Sequence, residues 1–131
     1  MLKIAPETMS ALSTPHEEEF LTRVLVRVRT HFPRHAEALG PDRMRAEART
    51  MMRRARTYGI ETEGDAYKFI CVGVTLGENF DTDPTIPWAG GTLNSRILGD
   101  ASERMEQTYR LALAALAQNG RPPVPLPDRH G

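Results

Sequence analysis

Residues 62–77 read TEGDAYKFICVGVTLG and predict one helix that is apolar on almost every side over its second half. Thr62, with Asp65 three residues later, is a typical helix start, and Gly77 is a typical helix end. Because a helix that is apolar all round lies in a protein interior, we expect this one to be the central, most buried helix. Gly73 in its middle costs about 1 kcal/mol relative to alanine, which predicts a close crossing with another helix.

Three more long helices are predicted around this central one from capping residues, prolines and the helical spacing of apolar side chains. The predicted spans are residues 15–32 (ended by Pro33), 40–58 (begun by Gly40-Pro41) and 100–119, with a short helix over 92–98. No stretch alternates with a period of two. We therefore predict an all-α fold, a small bundle of four main helices with a Pro/Gly-rich loop at residues 77–91.

The chain length of 131 residues suits one domain. The N-terminal residues carry only a weak helical pattern, and the prolines near the C-terminus are typical of polyproline II or disordered chain. We therefore predict a weakly ordered segment over residues 1–13, a helical domain over 14–120 and a flexible, Pro-rich tail over 121–131.

The composition excludes several classes of protein. With 40% hydrophobic and 26% charged residues, the chain is not wholly disordered, collagen-like or membrane-spanning. The 17 basic and 17 acidic residues balance, so a globally basic nucleic-acid-binding protein is not indicated. The single cysteine, Cys71, allows no internal disulfide, and its apolar neighbours indicate a small buried hydrophobe. The N-terminus lacks the apolar stretch of a signal peptide, so we expect a cytoplasmic protein.

No catalytic or cofactor-binding motif is recognisable in the sequence. There is no Gly-x-Ser-x-Gly nucleophile motif and no phosphate-binding loop. The EF-hand calcium pattern counted from Asp81 fails, because its sixth position is not glycine. His31 and His35 have the spacing of two metal ligands, but Pro33 lies between them and no third ligand is near. We predict no metal, no cofactor and no enzymatic activity.

Arginine is concentrated between Phe20 and Ile60, where ten arginines stand against three acidic residues. The forked guanidinium group suits carboxylates and phosphates, so this segment is a candidate binding face. The candidates that repeat along the second helix are Arg45, Arg49, Arg53 and Arg56. The pattern leaves three other interpretations open: a solvated helix face, pairing with the acidic remainder of the chain, and a nucleic-acid partner.

The Pro/Gly-rich loop carries the remaining candidates. Asp81 and Asp83 precede Pro84, and we expect their side chains to bond backbone N–H groups in a turn. Trp88 is the only tryptophan of the chain. It either fills the core beneath the loop or anchors a partner.

Three parts of the chain together resemble a known group of proteins. They are Tyr58-Gly59-Ile60-Glu61 with the apolar helix that follows to Leu76-Gly77, the loop Asn79-Phe80-Asp81-Thr82-Asp83-Pro84 with Pro87-Trp88, and the Arg104 to Tyr109 element. Over residues 20–116 the chain is similar to small helical accessory proteins encoded beside spike (VgrG or PAAR) and effector genes in bacterial type VI secretion and polymorphic-toxin loci. The resemblance implies a chaperone or adaptor without catalytic residues. The loop residues that match the shared pattern, and are therefore candidate partner-binding residues, are Phe80, Asp81, Asp83, Pro84, Pro87 and Trp88.

The expected function is therefore that of a non-catalytic, protein-binding accessory protein whose partner is an effector toxin or a spike protein. One alternative is an immunity protein whose acidic residues mimic nucleic acid for a basic nuclease toxin. Those residues are Glu61, Glu63, Asp65, Glu78, Asp81 and Asp83. A further alternative is a nucleic-acid-binding module that uses the Arg-rich helix and loses affinity steeply with salt. We expect no membrane partner.

Overall fold

The computed structural model describes residues 14–118, and these form five α-helices and one 3-10 turn without any strand. The helices are α1 (Thr14–His31), α2 (Pro33–Thr57), α3 (Glu63–Leu76), α4 (Pro87–Leu93) and α5 (Ala101–Gln118); the 3-10 turn is Phe80–Thr82. The all-α prediction is confirmed. The predicted N-terminal segment 1–13 and Pro-rich tail 121–131 lie outside the described residues.

The chain consists of two compact units, and the boundary between them lies between Ala48 and Arg49, within α2. The first contains α1 and the beginning of α2. The second contains the remainder of α2 and all later helices. The sequence pattern did not indicate this division.

The first unit differs from the prediction in how its two helices are separated. α1 ends at His31, just before Pro33 as predicted, but Pro33 is itself the first residue of α2, which was not predicted. The first helical position suits proline because its missing N–H would have no partner there. Gly40-Pro41, predicted to begin a helix, does separate two helical stretches of α2: Gly40 has the non-helical φ 81° and ψ 162°, and the helix runs on from Pro41 to Thr57. Residues other than glycine rarely adopt the positive φ found at Gly40.

The core of the second unit is built on α3, as predicted. Its residues from Ala66 to Gly73 are buried apart from Lys68. Thr62 caps the helix by accepting a hydrogen bond of 3.2 Å from the N–H of Asp65. A Cβ on Gly73 would overlap the Sδ atom of Met51, which confirms the expected close crossing with another helix.

The region between α3 and α5 contains more helix than the sequence predicted, and the helix lies at other residues than expected. The 3-10 turn and most of α4 lie within the expected loop at 77–91, whereas the expected helix at 92–98 is limited to the last two residues of α4. Pro87 supplies a favourable first helical residue. Asn94 then caps the C-terminal end, and its side-chain amide donates to the main-chain oxygen of Gly90 at 2.9 Å.

Candidate functional site

The loop after α3 is attached to the protein interior by Phe80 and Asp81. Phe80 is fully buried, and its ring centroid lies 4.9 Å from that of Phe69 with the planes inclined by 55°. An inclined aromatic pair at this distance contributes about 0.5–1.5 kcal/mol beyond its buried area. The side chain of Asp81 is only 1% exposed. These two predicted partner-binding residues therefore face the core rather than a partner.

Asp81 is a buried carboxylate whose partners come from the end of α2 and the residue after it. The Tyr58 hydroxyl donates to Asp81 Oδ2 at 2.6 Å. Arg54 Nη1 lies 3.5 Å from Asp81 Oδ1 and donates to the main-chain oxygen of Glu78 at 2.5 Å. Both carboxylate oxygens are thus engaged, as a buried charge requires. Asp81 was expected to bond backbone N–H groups, and that prediction is wrong because its partners are two side chains.

The environment of Asp81 also changes the acidity of Tyr58. Burial of the phenol, followed by its hydrogen bond to Asp81 and the negative charge of that carboxylate, raises the pKa of Tyr58 to about 12. The Tyr58 hydroxyl therefore keeps its proton at neutral pH and remains a hydrogen-bond donor to Asp81.

Gly90 allows α4 to pack against the 3-10 turn. A Cβ at Gly90 would lie 2.5 Å from the main-chain oxygen of Asp81, a distance that real Cβ contacts essentially never show. The neighbouring Gly91 has open space around the corresponding position. Only the first glycine of this pair is therefore required by packing.

The exposed part of the loop begins with a turn formed by Asp83. Asp83 Oδ1 accepts hydrogen bonds from Thr85 N at 2.8 Å and Thr85 Oγ1 at 2.7 Å, which confirms the turn predicted for this residue. The same two hydrogen bonds lower the pKa of the Asp83 carboxyl. Asp83 thus fixes the conformation of the chain on either side of Pro84.

Pro84, Pro87 and Trp88 form the accessible portion of the predicted site, and we call them the loop surface. Both prolines are exposed and Trp88 is half-buried. The main-chain oxygen of Trp88 accepts a hydrogen bond of 2.7 Å from Thr92 Oγ1 within α4. Trp88 is therefore neither fully buried in the core nor fully exposed.

Arg104 connects three separate segments of the second unit. Its Nη1 donates to the main-chain oxygen of Leu93 at 2.8 Å, its Nη2 to that of Tyr58 at 3.2 Å and its Nε to that of Asp100 at 3.2 Å. The first of these carbonyls is at the end of α4 and the second is just beyond the end of α2. Such carbonyls have no partner within their own helix, so Arg104 caps two helix ends at once.

The four arginines proposed as a binding face along α2 are engaged within the protein. In the first unit, Arg45 donates to Glu18 Oε1 at 2.8 Å and to Thr22 Oγ1 at 3.0 Å. In the second unit, Arg49, Arg53 and Arg56 each take part in an intramolecular interaction. For Arg45 this geometry favours intramolecular pairing over a free binding face.

The sequence alone indicated no structural role for Arg54, Gly90, Tyr58 or Arg104. Tyr58 and Arg104 were part of the quoted pattern, which is the only signal that singled them out. Arg54 looks like its neighbouring arginines in the sequence, because its partner Asp81 lies 27 residues further on.

Within residues 14–118 no group of three or more His, Cys, Asp or Glu side chains is placed to hold a metal ion. No helix in this part of the chain is long and apolar enough to cross a membrane. No protein-family model, no curated protein and no solved structure matches the chain.

Proposed function

We propose that this chain is a non-catalytic, protein-binding accessory protein, an effector chaperone or adaptor of a bacterial type VI secretion system. The proposal is carried by the way in which the loop surface is supported. Its exposed residues Pro84 and Pro87 follow directly on the buried pair Phe80 and Asp81. A surface that is already ordered loses little conformational freedom on binding, which favours recognition.

Trp88 is the residue we propose as the energetic centre of the contact. Tryptophan is enriched among residues that dominate binding energy, since it buries a large rigid area and adds a hydrogen-bond donor. Pro84 and Pro87 add apolar area whose backbone is restricted before binding. The assignment to type VI secretion rests on the resemblance of this loop to the accessory proteins named above.

The alternative of an immunity protein depends on accessible acidic residues. Asp81 is buried, Asp83 is held in a turn and the half-buried Asp65 accepts a hydrogen bond from Ser102 Oγ, so three of the six proposed acidic residues are committed within the protein. Glu61, Glu63 and Glu78 are exposed. An acidic mimic would therefore use these three residues rather than the loop surface.

The test is co-purification of the tagged full chain with the products of its neighbouring genes, among which the proposal requires an effector or a spike protein. We expect a stoichiometric complex with one of them. Trp88→Ala should weaken that complex about tenfold or more. Pro84→Glu is a second variant at an exposed position, which changes the loop surface without opening the core. Val26→Ala, at a half-exposed apolar residue of the first unit, is the matched control and should bind normally.

Effector delivery and toxin protection assays then assign the role. An adaptor or chaperone is required for delivery of the effector, whereas an immunity protein protects cells that express the toxin. Failure of the chain to bind any of these proteins would overturn the proposal. Normal binding by both Trp88→Ala and Pro84→Glu would overturn the assignment of the site.

A further inference from the structure

Residues 95–98, within the segment 94–100 that connects α4 to α5, form an exposed apolar tip. Ile97 is 94% exposed and Leu98 is 42% exposed. Among the described residues, Val26 is the only other large apolar side chain in the exposed class. Single exposed apolar residues are common, but two in succession at the end of a loop indicate a contact surface.

The tip is held in one conformation from both sides. Ser95 Oγ accepts hydrogen bonds from the N–H groups of Ile97 at 3.2 Å and Leu98 at 3.3 Å. On the other side, Asp100 and Glu103 form a reciprocal capping box with distances of 2.9 and 3.0 Å. The two apolar side chains are therefore presented on an ordered backbone.

A cavity of about 520 Å³ lies in the first unit, between the end of α1 and the kinked start of α2. Its apolar lining comes from Leu25, Pro33, Ala36, Pro41 and Met44. An apolar cavity of about 150 Å³ is enough to bind benzene, so this one has room for two aliphatic side chains.

Charged residues line this cavity as well, and within residues 14–118 they have no ion-pair partner. Arg29, Arg34 and Glu37 contribute to the lining, and none of them forms an ion pair or hydrogen bond with another described side chain. Arg45 of the same unit, by contrast, is paired with Glu18. Unpaired charges around an apolar cavity indicate a ligand that is apolar at its centre and charged at its edges.

The tip has this chemistry. Arg96 precedes Ile97 and Leu98, and Asp100 follows them after Gly99. Arg96 is exposed and likewise makes no ion pair with a described residue. At the tip, the basic Arg96 and the acidic Asp100 therefore lie on either side of two aliphatic side chains. At the cavity, the acidic Glu37 and the basic Arg29 and Arg34 accompany the apolar lining.

We propose that the protein associates with itself head to tail, with Ile97 and Leu98 of one copy inserted in the α1–α2 cavity of a second copy. Arg96 then pairs with Glu37, and Asp100 faces Arg34. Because the tip and the cavity are different surfaces, the contact is heterologous. When two copies bind, one of them still has an unoccupied cavity and the other an unoccupied tip. Repetition of such a contact gives rings or open chains rather than a closed two-fold dimer.

Sedimentation of the purified full chain between roughly 10 μM and 1 mM tests the proposal, since a small interface gives a weak complex. We expect the average mass to rise with concentration. Ile97→Asp should weaken self-association at least tenfold. Ile97→Met, which keeps an aliphatic chain at the same exposed site, is the matched control and should associate almost as well as the unaltered protein.

A mixing experiment distinguishes the heterologous contact from any symmetric one. Glu37→Arg leaves the tip intact but should be monomeric, because Arg96 of one copy would meet the new arginine at the cavity of the other. Ile97→Asp alters the tip and leaves the cavity intact. Each variant alone should therefore be a monomer, while an equimolar mixture should form a one-to-one complex through its one intact contact. A charge exchange that combines Arg96→Glu with Glu37→Arg in one chain should restore self-association.

Three results would overturn the proposal. They are a chain that stays monomeric over the whole concentration range, self-association that is unchanged in Ile97→Asp, and no complex in the mixture. Circular dichroism of each variant ensures that a loss of association reflects the contact, because the substituted positions are exposed and should leave the fold unchanged.

Discussion

The Tyr58 hydroxyl donates a hydrogen bond of 2.6 Å to the buried carboxylate of Asp81, 23 residues further along the chain. This contact joins the segment just beyond α2 to the first turn of the loop after α3. It places a carboxylate inside the second unit, where the Tyr58 hydroxyl donates a hydrogen bond to it and the guanidinium of Arg54 lies 3.5 Å away. The position of the loop surface therefore depends on a polar contact rather than on hydrophobic packing alone.

Removing the acceptor from this contact should destabilise the protein strongly. Asp81→Ala leaves the Tyr58 hydroxyl and Arg54 without their partner, and we expect a loss of about 3–5 kcal/mol. Tyr58→Phe removes one hydrogen bond to a charged group and should cost about 1.5–3 kcal/mol. Urea unfolding measures both losses. A cost below 1 kcal/mol for Asp81→Ala would show that the carboxylate is not retained in this contact.

The two adjacent glycines of α4 should respond oppositely to alanine. Gly90→Ala forces a Cβ against the main-chain oxygen of Asp81 and should destabilise by about 1–3 kcal/mol. Gly91→Ala has open space around it and should stabilise by up to about 1 kcal/mol through helix propensity. Thermal unfolding of the two variants side by side is the measurement, and equal effects would contradict the packing of α4 on the 3-10 turn.

Stability should fall in alkaline solution as Tyr58 ionises. Its folded pKa of about 12 lies above the ordinary value of 10.0, so the folded state favours the protonated phenol. The corresponding stability is fully present below pH 10 and is lost as the pH rises from 10 to 12. The ultraviolet absorbance of tyrosinate follows the titration. In Asp81→Asn the neighbouring charge is gone, so the Tyr58 pKa should move down towards its ordinary value.

Two arginines of α5 should differ widely in their contribution to stability. Arg104→Ala removes the donors to three main-chain oxygens and should cost about 1–3 kcal/mol. Arg110, six residues further along α5, is exposed and pairs with Glu106 across one helical turn. Arg110→Ala should therefore change stability by less than about 0.5 kcal/mol. Similar values for the two variants would rule out the capping role of Arg104.

The fold class followed from the sequence because helical periodicity and capping signals act over a few residues. The start of α3 at Thr62 and the crossing at Gly73 are both local signals, and both were predicted correctly. The errors arose where one residue serves either of two purposes. Pro33 follows the end of α1, as predicted, but it also begins a helical stretch before Gly40 that was not predicted.

The candidate site was predictable only in part, because its geometry depends on pairs that are distant in sequence. The turn at Asp83 was found, since its partner Thr85 is two residues away. The burial of Asp81 was not, since its partners Arg54 and Tyr58 belong to another part of the chain. The exposed tip at Ile97 was likewise obscured, because an apolar pair after α4 favours continuation of the helix.

The three carbonyl contacts of Arg104 also bear on the order in which the protein assembles during synthesis. Translation proceeds from the N-terminus, and domains fold as units once their residues have left the ribosome. The main-chain oxygens of Tyr58 and Leu93 lack this cap until Arg104 is available. The second unit therefore reaches its final arrangement only when α5 has been made. A partner that recognises the ordered loop surface would consequently distinguish the finished chain from the nascent one.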